Sequence, residues 1–341
     1  MKNKTKRICV VDTVYTLLLY YLICGINEDD IFVMSGGIPK EIRKNITHIY
    51  FPHFKHNDLP YSNIILITLK RLYLIIKRTY GIIKLRTILF FKTRNYNIEV
   101  YGHGHTNFSF PLYEYENSYI IEDGLGNYMD LAEPDYSQSR LLKFLGVYTN
   151  DLYEGFGTHK NIKKVYLTKN EVPEIIKNKT EVINMHKIWN NLSENDKNKI
   201  LKIFNIDLKE INFNDETVLL LTEPLSEEHD ITLKEELSIY STLIEKFKAK
   251  NIIIKPHPTD SKNYCEIFPD TKIIDKYFPI ELLNLIGIEP NIACSIVSTA
   301  LMNFKNSKIY VYTGELEDET LNVARNDLLN LIKKENMEII F

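Results

Sequence analysis

The sequence predicts an α/β protein of two Rossmann-like domains that face a cleft. Strand and helix patterns alternate in both halves of the 341-residue chain. The strands are continuous apolar runs such as ICVV (8–11) and TVLLLT (217–222), as expected for parallel sheets covered on both faces. A polar Lys/Asn-rich stretch, 169–215, separates the two blocks.

In the first block, strands are expected at 8–11, 31–34, 47–51, 87–91, 98–101 and 118–121. Helices are expected at 14–25, 63–80 and 137–145, the first with Tyr15, Leu18, Leu19 and Ile23 facing inward. In the second block, strand 217–222 leads to helix 232–249, with Leu233, Leu237, Tyr240, Ile244 and Phe247 on one face. Strands 251–255, 272–274, 292–297 and 308–312 then alternate with helices 279–286, 299–304 and 320–335. The expected domains are 1–170 and 216–341, joined by a connecting helical segment at 171–215. Ligands of such sheets bind at the carboxyl ends of the strands, so the loops there are the ones to read.

Bulk composition narrows the function class. Apolar residues make up 44% and charged residues 26%, an ordinary globular balance. The net charge of −3 gives no reason to expect nucleic acid as a partner. Four scattered cysteines with no CxxC pair fit a reducing, cytoplasmic compartment. The basic MKNKTKR followed by an apolar run imitates a targeting signal, but Asp12 and Thr13 interrupt the run, and a strand, turn and helix is the reading preferred. From Leu59 to Ile98 there are eight basic residues and no acidic one. That stretch is either a helix with a solvated basic face followed by the strand TILFF, or a peripheral surface for a phosphorylated glycolipid or for anionic lipid on the inner face of the membrane.

Several chemistries lack their motifs. No GxGxxG, GxxxxGK[ST] or GxSxG follows a strand. Four strand-end loops remain. IIEDGLGNY (120–128) delivers Glu122 and Asp123, either as a proton acceptor or as an ordinary acidic turn. IIIKPHPTD (252–260) holds His257 between two prolines after Lys255, which restricts the backbone on both sides of the imidazole. ACSIVSTALMNF (293–304) puts Ser298 and Thr299 at a helix start, as an anion site or as plain capping. TEPLSEEHD (222–230) places Glu223, Glu227, Glu228 and Asp230 before a helix, where acidic residues suit the dipole. His53, His56, His103 and His105 read as packing or polar lining, with no metal site expected.

In order and spacing these loops resemble the bacterial lipooligosaccharide and capsule sialyltransferases of glycosyltransferase family 52, enzymes of the GT-B type. IIEDGLGNYMDL is similar to the family's [DE]-[DE]-G motif, KPHP to its HP motif, and SIVSTAL to its Ser-Ser/Ser-Thr motif. FPIELLNLIG resembles the segment that offers a glutamate to the nucleotide ribose, here Glu281. The opening is similar to C-x-T-P-x-Q-L, with Val14 in place of the proline and Thr16 in place of the glutamine. The resemblance implies CMP-sialic acid as donor, an oligosaccharide or glycolipid as acceptor, inversion at the anomeric carbon, and no metal or other cofactor. It implies His257 as proton donor to the departing phosphate, with Ser298 and Thr299 holding that phosphate. Lys255 and Pro258 would lie near the nucleotide. Asp123 would be the base, with Glu122 and Asp230 as the other candidates. A different nucleotide-sugar hexosyltransferase, a cytidine-nucleotide glycerophosphotransferase and a non-catalytic glycan or membrane binder are the competing readings.

Overall fold

A computed structural model describes residues 4–52, 64–104, 106, 108–128, 154–206, 213–248 and 250–340; side chains are described for these except 64–72, 125, 154 and 155. The expected helix 137–145 and the residues His53, His56 and His105 lie outside the described residues. The chain divides into two compact units, 1–205 and 206–341.

The first unit holds a parallel sheet of seven strands: β1 (Thr5–Val11), β2 (Ile31–Met34), β3 (His48–Tyr50), β4 (Asn97–Gly102), β5 (Ser118–Ile121), β6 (Ile162–Leu167) and β7 (Thr180–Val182), in the order β3-β2-β1-β4-β5-β6-β7. The second holds a parallel sheet of five: β8 (Thr217–Leu221), β9 (Asn251–Lys255), β10 (Lys272–Ile273), β11 (Ile292–Ser295) and β12 (Lys308–Val311), in the order β10-β9-β8-β11-β12. In each sheet the chain runs outward from its first strand, returns, and continues on the other side. The switch points are therefore β1/β4 and β8/β11, where ligands of open α/β sheets bind.

Burial explains the strand pattern. Ile8, Cys9, Val10 and Val11 are all inaccessible, because helices cover both faces of the sheet. The helix Val14–Cys24 is buried continuously from Thr16 to Leu22, so the apolar run after Asp12 is core. Among the described residues no helix is long and apolar enough to cross a membrane.

Three local expectations are corrected. TILFF (87–91) is not a strand but the end of a helix, Ile64–Thr93. Its β-branched and aromatic residues carry strand propensity, yet Ile82, Leu85 and Leu89 recur at helical spacing and are buried in the core of the first unit. Packing of that stripe overrides intrinsic preference. The expected helix at 299–304 is a five-residue 3-10 turn, Thr299–Asn303. The stretch 171–205, read as a connection, belongs to the first unit: β7 extends its sheet, and the helix Met185–Asn191 packs on Val14–Cys24.

Candidate functional site

At the β1/β4 switch point of the first unit, Asp12 follows β1, His103 follows β4, and Glu122 and Asp123 follow β5. Gly102, just before His103, has φ +146°, and a Cβ there would stand 1.9 Å from the Val10 carbonyl oxygen. Glycine lets β4 close onto β1 at the point where the imidazole enters. Gly124 (φ +90°) turns the chain sharply after the two carboxylates, and Asn127 accepts from the Asp123 backbone N–H at 2.9 Å.

The two adjacent carboxylates have different surroundings. Glu122 is buried and saturated with donors: the hydroxyls of Tyr15 (3.2 Å), Tyr128 (2.6 Å) and Thr168 (2.8 Å), and the Thr168 N–H (2.6 Å). It ties the β5 and β6 ends together. Asp123 instead meets His103. Thr16 donates to its Oδ1 at 2.8 Å, Thr13 donates to the same oxygen, and His103 Nδ1 lies 3.6 Å from Oδ2. On the other side of the ring, Nε2 lies 2.8 Å from Asp12 Oδ1 and 3.1 Å from the Asp12 backbone N. These contacts suit the ring's two protonation states: the neutral ring accepts from the N–H, and the charged ring donates to the carboxylate. Burial pulls the His103 pKa down, but Asp123 and Asp12 together outweigh it and raise the pKa above the ordinary value. The ligand atoms of Asp12, His103 and Asp123 all lie within 4.8 Å of one another, close enough to hold a cation as well as to hold each other.

In the second unit, the ends of β8, β9 and β11 bring together Glu223, His257 and Ser298. His257 Nδ1 is 2.7 Å from the Thr259 hydroxyl, and its Nε2 is 3.8 Å from Glu223 Oε2. Burial raises the Glu223 pKa against the opposing pull of His257, the Ser298 hydroxyl and Lys255. Lys255 Nζ is buried and donates to the carbonyls of Pro256 (2.9 Å) and Lys276 (2.8 Å). Burial pushes its pKa down to about 8, although Glu281, Asp275 and Glu223 pull it upward. Glu281, at the start of the helix Ile280–Leu285, thus shares the field of Lys255. Ser298 is buried, its backbone N–H donating to Ser295 Oγ at 3.2 Å; Thr299 and Pro258 are exposed.

Asp230 sits apart from this cluster in its bonding: its N–H donates to Asp318 Oδ2 at 3.0 Å, beside the cap of the helix Glu319–Lys334.

Sequence reasoning missed what holds the histidine loop. Lys262 Nζ lies 3.0 Å from Glu236 Oε1, 3.0 Å from Asp260 Oδ1 and 3.2 Å from Glu227 Oε1. Asp260 also accepts from Tyr264 (2.8 Å), and Glu227 accepts from Ser261 Oγ (2.8 Å). Acidic residues of the 222–230 loop thereby fasten the loop after β9, a role beyond the helix dipole. One available signal was the density of Asp, Lys and Glu around the HP motif. Asp12 and Thr13 gave another, being polar residues at the end of a buried strand.

With this geometry in view, the comparisons are specific. The profile of Glycosyltransferase family 52 matches residues 82–318. An uncharacterised protein of Haemophilus influenzae is 33% identical over 224 residues, 65% of this chain and 70% of that one. The fold is similar to a 2,6-sialyltransferase of Photobacterium sp. JT-ISH-224 solved with CMP and lactose (TM-score 0.58, 11% identity, 98% of this chain and 78% of that one). It is also similar to the GT-B domain of a Photobacterium damselae sialyltransferase (TM-score 0.55, 13% identity, 98% and 99%). The architecture is thus of the GT-B type, and the chain belongs to glycosyltransferase family 52.

Proposed function

We propose that this glycosyltransferase is an inverting sialyltransferase that moves sialic acid from CMP-sialic acid to a sugar hydroxyl, galactose first, of a bacterial surface glycan. One observation carries the reading. A half-exposed imidazole, His257, stands with Glu223 and Ser298 where three strand ends of a Rossmann-like unit converge. The acceptor oxygen would attack the anomeric carbon as the bond from that carbon to the CMP phosphate oxygen breaks. His257 would give its proton to the departing phosphate, with Ser298 and Thr299 on the same group. Lys255 and Pro258 would border the nucleotide, and Glu281 would accept from ribose hydroxyls.

Asp123 would take the acceptor proton. The donors that saturate Glu122 favour Asp123 of the two, and Asp230 remains the third candidate base. A leaving monophosphate carries less charge than a pyrophosphate, so hydroxyls and an imidazole suffice without a divalent metal. The four cysteines are unpaired, which fits a cytoplasmic setting.

The test gives the protein lactose as acceptor and, in separate reactions, CMP-sialic acid, CDP-glycerol or a UDP-sugar. CMP release from CMP-sialic acid with formation of sialyllactose, unchanged by EDTA, is the expected result. Transfer from either other donor, or loss of transfer in EDTA that one added metal restores, would overturn the donor or the metal-free scheme.

A further inference from the structure

A hydrogen-bonded chain of side chains stands behind the His257 imidazole. Pro258 and Thr259 are the central residues of a turn closed by the Asp260 N–H on the His257 carbonyl at 3.1 Å. Proline at the first central position presets its own φ, and the turn carries the Thr259 side chain back beside the ring. The Thr259 hydroxyl lies 2.7 Å from His257 Nδ1 and 3.3 Å from Glu228 Oε1. Glu228 ends the short helix Leu225–Glu228. The neighbouring Glu227 accepts from the Ser261 N–H at 3.2 Å and from its hydroxyl at 2.8 Å, so helix and turn are fastened at two points.

The Thr259 hydroxyl has one proton and two acceptors to choose from. A carboxylate can only accept. When Thr259 donates to Glu228, its oxygen offers a lone pair to Nδ1, and Nδ1 must carry a hydrogen. When it donates to Nδ1 instead, its oxygen faces the Glu228 oxygen with lone pairs on both sides. It then also competes with the Thr259 N–H, 3.3 Å from Nδ1, for a single nitrogen lone pair. The first arrangement makes a bond to a charged acceptor, about twice as strong as a neutral one. It leaves over only the N–H of an exposed residue, which water can serve.

Resting on the reading of His257 as proton donor, we propose that Thr259 and Glu228 are positioning residues that keep a hydrogen on His257 Nδ1 and leave Nε2 to the reacting group. In the charged ring, Nδ1–H meets the Thr259 oxygen, and Nε2–H faces Glu223 Oε2 at the longer distance of 3.8 Å. As the bond from the anomeric carbon to the phosphate oxygen breaks, the Nε2–H bond breaks too. Its electron pair stays on Nε2 and the proton passes to that phosphate oxygen. The ring is left neutral with its hydrogen already on Nδ1, so no exchange between nitrogens is needed. This is the logic of a reacting histidine oriented by a third group, with a hydroxyl interposed.

The experiment is proton–nitrogen correlation spectroscopy of the full chain with nitrogen-labelled histidine, the pH being raised until the ring is neutral. The His257 signals are assigned by their loss in His257→Gln. A hydrogen on Nδ1 and a bare Nε2 are expected. Glu228→Ala frees the hydroxyl to turn to Nδ1, and Thr259→Val leaves only the backbone N–H there, so both should move the hydrogen to Nε2. A native ring with its hydrogen on Nε2, or the same tautomer in all three proteins, would overturn the proposal. In turnover, Thr259→Val should lower kcat about 10-fold with the KM for CMP-sialic acid unchanged, and Thr259→Ser should restore it. A serine variant no better than valine, or a Thr259→Val loss that persists in full beside His257→Ala, would show a merely structural role and overturn it too. The nitrogen spectra need no donor. A native protein inactive on CMP-sialic acid would therefore count against the transfer reading, while the spectra still decide this one.

Discussion

The two units place a histidine at a strand end in opposite ways. His103 is buried between two carboxylates, with 2% of its side chain accessible, whereas His257 has 37% accessible, a threonine hydroxyl on one nitrogen and a carboxyl at 3.8 Å from the other. The first imidazole is committed to neighbours within its own fold. The second retains an accessible edge, held in place by its loop. Burial thus separates a bracing group from the one proposed as the proton donor, although both sit after a strand and within a polar sequence context.

Three measurements would break or sharpen that contrast. The largest effect is expected from His257→Ala, which should cut sialyl transfer by about 100- to 10,000-fold, the usual worth of a positioned acid, while the melting temperature stays put. Near-normal turnover in that variant would erase the distinction between the two histidines.

The next effect concerns how the loop that carries His257 is held. Lys262→Met leaves the buried carboxylates of Glu236 and Asp260 without their shared cation. Loss of one partner from a buried ionic cluster costs about 3–5 kcal/mol, so denaturant unfolding of the second unit should shift accordingly. A shift within error would show that the loop is held by backbone turns alone.

The smallest and most pH-sensitive effect is expected at His103. Its folded pKa is raised above the ordinary value, so its stabilising contribution is complete below about 6.5 and is lost as pH rises through the folded pKa. His103→Gln should cost about 1–3 kcal/mol at low pH, and the gap from the native protein should narrow as pH rises. A gap independent of pH would mean that the ring acts through packing rather than through charge.

The sequence by itself determined the alternation of apolar strands and amphipathic helices, and with it two parallel-sheet blocks. It also placed Asp123, His257, Ser298 and Thr299 at strand ends, because side-chain period and strand polarity are local properties of the chain. Periodicity misled where two signals competed: the residues of TILFF favour strand individually, but the buried stripe through Leu85 and Leu89 belongs to a helix. The tertiary structure alone decided which carboxylate of the EDG turn is saturated and which meets an imidazole. It alone brought Asp12 and Asp123, 111 positions apart in the numbering, to opposite sides of His103, and Lys262 onto Glu236. Such pairings depend on distances between strands and loops remote in sequence, and on the burial those neighbours impose, quantities that no local pattern of residues encodes.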